Sequence, residues 1–440
     1  MTAPSTPADA PAASVAHPQA GAFPPGYRVY FIGILALTFF FNHMDRTLIA
    51  ALVEPMKADL HLKDGQVGLL AGLAFSIFYV TAGLPLAKLA DRHNRVRIIS
   101  IALAAWSCFT GACGLAGGFV QLLLARVGVA VGEAAGQPPA YAIIGDLYSS
   151  ARRSTATAIY QVGGPIGSAT GLALGGLLAQ HVGWRGVFFI MTLPGLLLAA
   201  VVWLTLREPP RGLSEGRQAP GGAPSVFAVA RLLLSRPTFV CMALGAALTT
   251  FSIFSLTIWT PSFLVRSHGL SLSQAGALAG GIELIAGLVG AVGGAMLADR
   301  LGRRDPRWWM LAPGFAGLVA APILLAFLFS GSLTLAMALA VCSATLTRIW
   351  MGPTYAAVHT LVGLRMRTVA SALLLFTINM VGMGLGPLVV GWLSDLMAAG
   401  SGASSLRNGL VAAGPALILG GGLFLLAARS LKADVARAPD

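Results

Sequence analysis

Six ionisable residues stand inside long apolar runs: Asp45 and Arg46 in one, Arg126 and Glu133 in a second, Glu283 in a third and Arg348 in a fourth. If the runs cross a bilayer, each charge costs roughly 2.5–3.5 kcal/mol on insertion scales, so each is expected to face a protein interior and to have a partner. Carboxylates beside guanidinium groups in such a place suit proton coupling. The acid takes up a proton when its basic partner is drawn away and releases it when the pair re-forms. The alternative is an ion pair that only locks helices together.

Spacing sharpens the assignment. Glu133 follows Arg126 by two helical turns, so it shares that face and lies about 10 Å deeper. With the first run ending near 53 and the fourth beginning near 119, Asp45 and Arg126 both lie about 10–12 Å below the outer surface. An Asp45–Arg126 pair is then within reach if the two helices adjoin. We expect Asp45 and Glu133 to carry protons, and Arg126 to switch partners or hold an anionic headgroup with Glu133 beside it. Arg46, about 100° further round its helix, is expected either to join substrate binding or to snorkel toward the outer surface. Glu283 and Arg348 fall near the middle of their runs, and Arg348 offers a planar fork either to a phosphate or carboxylate or to Glu283.

The elements that must hold these groups follow from composition. Of 440 residues, 56% are hydrophobic and 10% charged, where a soluble domain carries about 25% charged residues. Apolar segments of spanning length lie near 28–53, 66–89, 97–117, 119–146, 154–180, 184–206, 238–263, 272–297, 308–330, 332–361, 368–394 and 408–430. Each meets the roughly 20 residues a helix needs to cross the bilayer. The runs are continuous rather than alternating, which excludes a barrel. The expected fold is therefore an all-α integral membrane protein of twelve transmembrane helices.

Charge sets the topology and accounts for the net +13. Arg28, Lys88, Arg92, Arg95, Arg97, Arg152, Arg153, Arg207, Arg300, Arg303, Arg304, Arg307, Arg367 and further arginines fall on one side. Only Lys57, Lys63, Arg185, Arg266 and Arg407 fall on the other. The positive-inside rule puts the crowded side and both termini in the cytoplasm, so the surplus is topological and no nucleic-acid partner is expected. Cys108, Cys113, Cys241 and Cys342 have no paired spacing and no His cluster, so neither disulfides nor a metal are indicated.

The polar stretch 207–236, rich in Pro, Gly and Arg, divides the helices six and six. Leu89-Ala90-Asp91-Arg92 recurs as Leu297-Ala298-Asp299-Arg300 at an offset of 208, and Pro139-Ala140-Tyr141-Ala142 as Pro353-Thr354-Tyr355-Ala356 at 214. Two like halves about a central cavity are transporter architecture. The expected layout is a disordered cytoplasmic tail over 1–26, a six-helix bundle over 27–206, a cytoplasmic linker over 207–236, a second bundle over 237–431 and a tail over 432–440.

The loop Leu89-Ala90-Asp91-Arg92-His93-Asn94-Arg95 and its copy Leu297-Ala298-Asp299-Arg300-Leu301-Gly302-Arg303 resemble the signature of the major facilitator superfamily, with Asn94 where that signature has Gly. Asn42-His43-Met44-Asp45-Arg46, the run Arg126 to Ala134, and Ile144-Gly145-Asp146-Leu147 resemble the Spinster family within it. The resemblance implies two pseudo-symmetric halves and a proton-coupled carrier of an amphiphilic lipid, a lysophospholipid or sphingolipid-like molecule, working by rocker-switch alternating access. It also implies a latch on the cytoplasmic side from Asp91, Arg92, Arg95, Asp146, Arg152 and Arg153 with Asp299, Arg300 and Arg303. The plainer reading makes those arginines topology signals only.

Tyr79, Phe254, Trp259, Trp350 and Phe376 stand on helices that line the cavity in that superfamily, and are expected to contact substrate beside Arg126, Arg46, Glu133, Arg348 and Glu283. Many aromatics with few charges suit an alkyl tail bearing a small charged head better than a sugar. The glycines of 163–167 and 382–391 give close-packing faces or bending points. No G-x-x-x-x-G-K-[ST] motif and no nucleophile–His–carboxylate set are found, so no cofactor, no ATP and no enzyme activity are expected. The competing functions are a proton-coupled carrier of small organic anions or hydrophobic drugs, and a non-transporting membrane sensor. The chain is expected to act as a monomer in a bacterial inner (cytoplasmic) membrane, with a small amphiphile and protons as its partners.

Overall fold

The computed structural model describes residues 23–213, 225–363 and 366–437. Ten of its helical stretches are long and apolar enough to cross a membrane. One of these, Ser150–Thr205, is two spans joined at Gly183, whose φ of 68° turns the chain where an L-residue would be strained. The first helix, α1 (Pro25–Leu60), escapes the apolarity criterion because Asn42, His43, Asp45 and Arg46 dilute it. That gives twelve spans among the described residues. The others are α2 (Asp64–Arg92), α3 (Arg95–Gly114), α4 (Phe119–Leu147), α5 (150–182), α6 (184–205), α7 (Pro237–His268), α8 (Leu272–Gly302), α9 (Trp308–Phe329), α10 (Leu333–Thr360), α11 (Arg367–Gly400) and α12 (Ser405–Ala436).

Local chemistry sets the ends. α1 starts on Pro25, where a missing N–H costs nothing. α3 is capped by Asn94, whose Oδ1 accepts from the Arg97 amide at 2.9 Å, so the residue that replaces the signature's Gly caps a helix. α8 begins with a Ser271/Gln274 capping box. α1 runs to Leu60 rather than ending near 53, and carries Glu54, Lys57 and Asp59 on its outer extension. The linker contains a helix of its own, Val226–Leu234, and α12 continues to Ala436 into the expected tail. The N-terminal tail up to residue 22, linker residues 214–224 and the last three residues lie outside the described residues.

Glycine ladders bring helices together. Gly163, Gly167 and Gly171 of α5 press on the backbone carbonyls of Ala36, Phe40 and Met44, and a Cβ at any of them would collide with α1. Between the halves, Gly68 and Gly72 of α2 lie against Pro387 and Gly384 of α11, and Gly276 and Gly280 of α8 against Leu172 and Ala169 of α5. These inter-half seams lie toward the outer side. Gly83 and Gly293, nearer the cytoplasm, would meet nothing within 4 Å. The core repeats that asymmetry. One cluster joins Leu48, Leu52 and Met56 of the first half to Trp259, Phe263 and Leu406 of the second, whereas two further clusters form around Trp106 and Leu103, joined by Met383 of α11, and around Met242 and Phe424.

Candidate functional site

The charged centre of the first half is built by α1, α2 and α4. Arg46 Nε donates to Glu133 Oε2 at 2.6 Å, and Glu133 is completely buried. The Arg46 guanidinium stacks 4.5 Å from the Tyr79 ring centroid and 5.2 Å from that of Phe75. Those two rings lie nearly parallel, 5.9 Å apart. Arg126 also approaches the platform, 5.2 Å from the Phe75 centroid. Its Nε is buried without a hydrogen-bond partner, and among the described residues no carboxylate comes within ion-pairing distance of it. Tyr79 is fixed in turn by its hydroxyl, which donates to Gln137 Oε1 at 3.1 Å. A cation–π platform in a dry site holds a guanidinium without neutralising it. Arg126 is therefore a buried cation facing a neutral ring.

This pairing differs from the one the spacing suggested. Asp45 accepts from Thr110 Oγ1 of α3 at 2.8 Å and does not pair with Arg126. Its short side chain points to α3, while Arg46, one residue on, reaches α4 by its longer stem and so does not snorkel outward. The α4 helix also breaks directly after Glu133, between the pieces Phe119–Ala134 and Gln137–Leu147. Sequence spacing assumed one continuous helix there.

In the second half, Arg348 Nη2 lies 2.5 Å from Glu283 Oε2, and Thr257 Oγ1 donates to Glu283 Oε1 at 2.5 Å. Of the aromatics, Tyr79 belongs to the charged centre, and Phe254 packs against both cytoplasmic cores. Trp259 is fully buried with its indole N–H on the Pro387 carbonyl at 3.0 Å, and Trp350 is buried in the second-half core. Neither offers a surface to substrate in this conformation. Phe376 is half exposed.

At one end the halves are held together by Arg266, with Lys57 beside it, both counted in the sequence only as outer-side charges, and by acids that the sequence did not single out. Arg266 of α7 donates to both carboxylate oxygens of Asp64 at 2.8 Å and to Glu54 Oε1 at 2.9 Å. Lys57 also pairs with Asp64, and Ser394 Oγ donates to Asp64 Oδ2 at 2.7 Å. Asp395 of α11 accepts the first amides of α2, Asp64 N at 3.0 Å and Gly65 N at 2.7 Å, where an anion meets the positive end of a helix. The sequence signal available was the scarcity of outer cations, among which Arg266 and Lys57 both stand.

At the opposite end of the molecule, the contacts of Arg95 and Asp146 stay, among the described residues, within the first half and the start of the linker. Arg95 pairs with Asp146 and, at 2.5 Å, with Glu208. Gly212 N donates to Asp146 Oδ1 at 2.8 Å and Arg211 to the Ala90 and His93 carbonyls at 3.3 Å, so the start of the linker straps the first half. Arg153 donates to the Gly145 carbonyl at 3.0 Å. Asp91, Arg92, Arg152, Arg300 and Arg303 are exposed, and the Asp299 side chain lies outside the described residues. Among the described residues, the ion pairs that cross between halves are those of Arg266. The Arg266 cluster therefore ties the two halves together at its own end of the molecule.

The model of the Major Facilitator Superfamily matches residues 35–387. The fold superposes with a TM-score of 0.84 on a crystal structure of a bacterial homologue of the human lysosomal transporter Spinster, inward-facing and unoccupied, at 32% identity over 93% of this chain and 99% of that one. The chain belongs to the Spinster family of the Major Facilitator Superfamily. Among curated proteins, this Spinster-family chain is 35% identical over 411 residues to an "MFS-type efflux pump" of Mycolicibacterium smegmatis, covering 92% of this chain and 93% of that protein. It is 28% identical to human protein spinster homolog 1, over 94% of this chain and 83% of that protein. It is thus a multi-pass membrane transporter of a superfamily of secondary carriers, not of an enzyme family.

Proposed function

We propose that this Spinster-family transporter couples proton movement to the passage of an amphiphilic lipid, a lysophospholipid or sphingolipid-like molecule, through alternating access. The observation that carries the reading is the centre of α1 and α4. A buried carboxylate and guanidinium are paired, a second carboxylate lies beside them, and Arg126 has a ring but, among the described residues, no acid in ion-pair contact. An anionic headgroup supplies what Arg126 lacks, and the platform of Phe75 and Tyr79 gives the adjoining chain an apolar wall. Drawing Arg46 from Glu133 leaves a carboxylate that takes a proton, and re-pairing expels it. Asp45, Glu133 and Arg126 carry the coupling in this reading, with both termini in the cytoplasm of a bacterial cell and the protein working as a monomer.

The test is flux of a labelled lysophospholipid in liposomes holding the purified chain, with and without an imposed pH gradient. Wild type should show gradient-dependent flux, and Asp45→Asn and Glu133→Gln should each abolish that dependence. Folded protein that moves no lysophospholipid under either condition would overturn the lipid assignment. The resemblance to an efflux pump favours a second reading, export of small hydrophobic drugs. A hydrophobic dye moved under the gradient where the lysophospholipid is not would establish it.

A further inference from the structure

The Glu283–Arg348 pair stands apart from the site just described. It borders a cavity between α7, α8, α9 and α10, closed on one side by Leu172 of α5. The cavity offers about 30 Å³ to water-sized occupants. A water needs roughly 10–15 Å³ measured in that way, so there is room for about two and none for a lipid headgroup. Its walls carry the hydroxyls of Thr257, Thr260, Ser343 and Thr347 among apolar side chains. Arg348 Nε is buried without a partner.

The backbone is irregular at both members of the pair. Three residues after Glu283, α8 relaxes into a π-helical turn, Ala286–Gly290, and Gly290 lies directly against the Arg348 side chain. α10 breaks at Arg348 itself, between Leu333–Thr347 and Met351–Thr360. Such irregular turns mark places where a helix departs from its ladder for a purpose other than stability. At the offset of 214 that relates Pro139 to Pro353, the break in α10 falls where α4 breaks after Glu133. Each half therefore builds one carboxylate–guanidinium pair at the break in its fourth helix, with the acid on the broken helix in the first half and the base on it in the second.

We propose that Glu283 is a second proton site, distinct from the α1–α4 centre. Its carboxylate takes the proton of a hydronium in the cavity, leaving water, and Arg348 remains a cation that is then free to turn. The groups facing Glu283 are few. Around the cavity α10 presents Arg348, Ser343 and Thr347, α7 presents Thr257 and Thr260, and α5 and α9 present Leu172, Leu324 and Phe327. His43 of α1 lies within electrostatic reach of Arg348. The inference rests on the proton-coupled reading above, and adds a second proton to it.

The experiment is pH-difference infrared spectroscopy of the full chain in lipid, read in the C=O band of protonated carboxyls. Glu283→Gln should delete a titrating band that the Asp45→Asn/Glu133→Gln double variant keeps. Thr257→Val, which folds more safely, removes a donor to the ionised carboxylate. It should move the midpoint at which that band appears. A Glu283→Gln spectrum equal to that of wild type, or a Thr257→Val midpoint that does not move, would overturn the proposal. Failure of the two readings is separable: a titrating Glu283 band in protein without gradient-dependent flux removes the transport reading alone, while intact coupled flux without that band removes the second site alone.

Discussion

At the scale of the residue, the buried Arg46–Glu133 pair sets the stakes of the transport cycle. Desolvating two charges is worthwhile only while both are present, and removing one member of a buried pair costs about 3–5 kcal/mol because the other is left uncompensated. Arg46→Gln should therefore lower the melting temperature of purified protein markedly at neutral pH. Glu133→Gln added to it should recover most of the loss, so that a double-mutant cycle yields a coupling of about 3 kcal/mol or more. Additive losses would show that the 2.6 Å contact contributes little and that the platform of Phe75 and Tyr79 holds Arg46 alone. The sequence made the importance of Asp45, Arg46, Arg126 and Glu133 legible, because charge in an apolar run is visible residue by residue. Their partners were not legible. Which of two adjacent residues reaches α4 depends on a helix's rotation by about 100° per residue, and on a break after Glu133 that no spacing encodes.

At the scale of the element, close approach is bought with glycine and would be lost with it. Gly167 lies against the Phe40 backbone and Gly171 against that of Met44, so a side chain at either site must push α5 from α1, the helix carrying Asp45 and Arg46. Gly167→Val should destabilise by about 1–3 kcal/mol or more, as overpacked cores do. Gly83→Ala, which meets nothing within 4 Å, should stay within about 0.5 kcal/mol. Thermal melts of the two variants check the contrast, and equal losses would refute the ladder. The spans and the linker were readable from apolarity and from Pro, Gly and Arg. The π turns Leu69–Leu73, Ala286–Gly290 and Ile378–Gly384 were not, because an extra residue in a turn leaves the apolar pattern of a membrane helix unchanged.

At the scale of the whole molecule, the core that most extensively joins the halves lies at the end where Arg266 forms a polar clasp, and two smaller cores, linked through Phe254, serve the other end. Its partners are 212 and 202 residues away in the chain, so nothing local in sequence pairs them, and under the proposed alternating access the same sequence also encodes an outward-facing arrangement. The clasp is where the two arrangements must differ. Arg266→Gln leaves Glu54 and Asp64 facing each other with Lys57 alone to compensate, and so should cost the outside-closed state more than the outside-open one. A difference of about 1–3 kcal/mol shifts such an equilibrium roughly 5- to 150-fold. Spin labels at Gly118 and Gly331, on outer loops where nothing lies within 4 Å, report it once the four free cysteines are replaced. The distance distribution should gain a longer component in Arg266→Gln. An unchanged distribution would mean that the seams of Gly68 with Pro387 and Gly276 with Leu172 hold the outer side closed without the clasp.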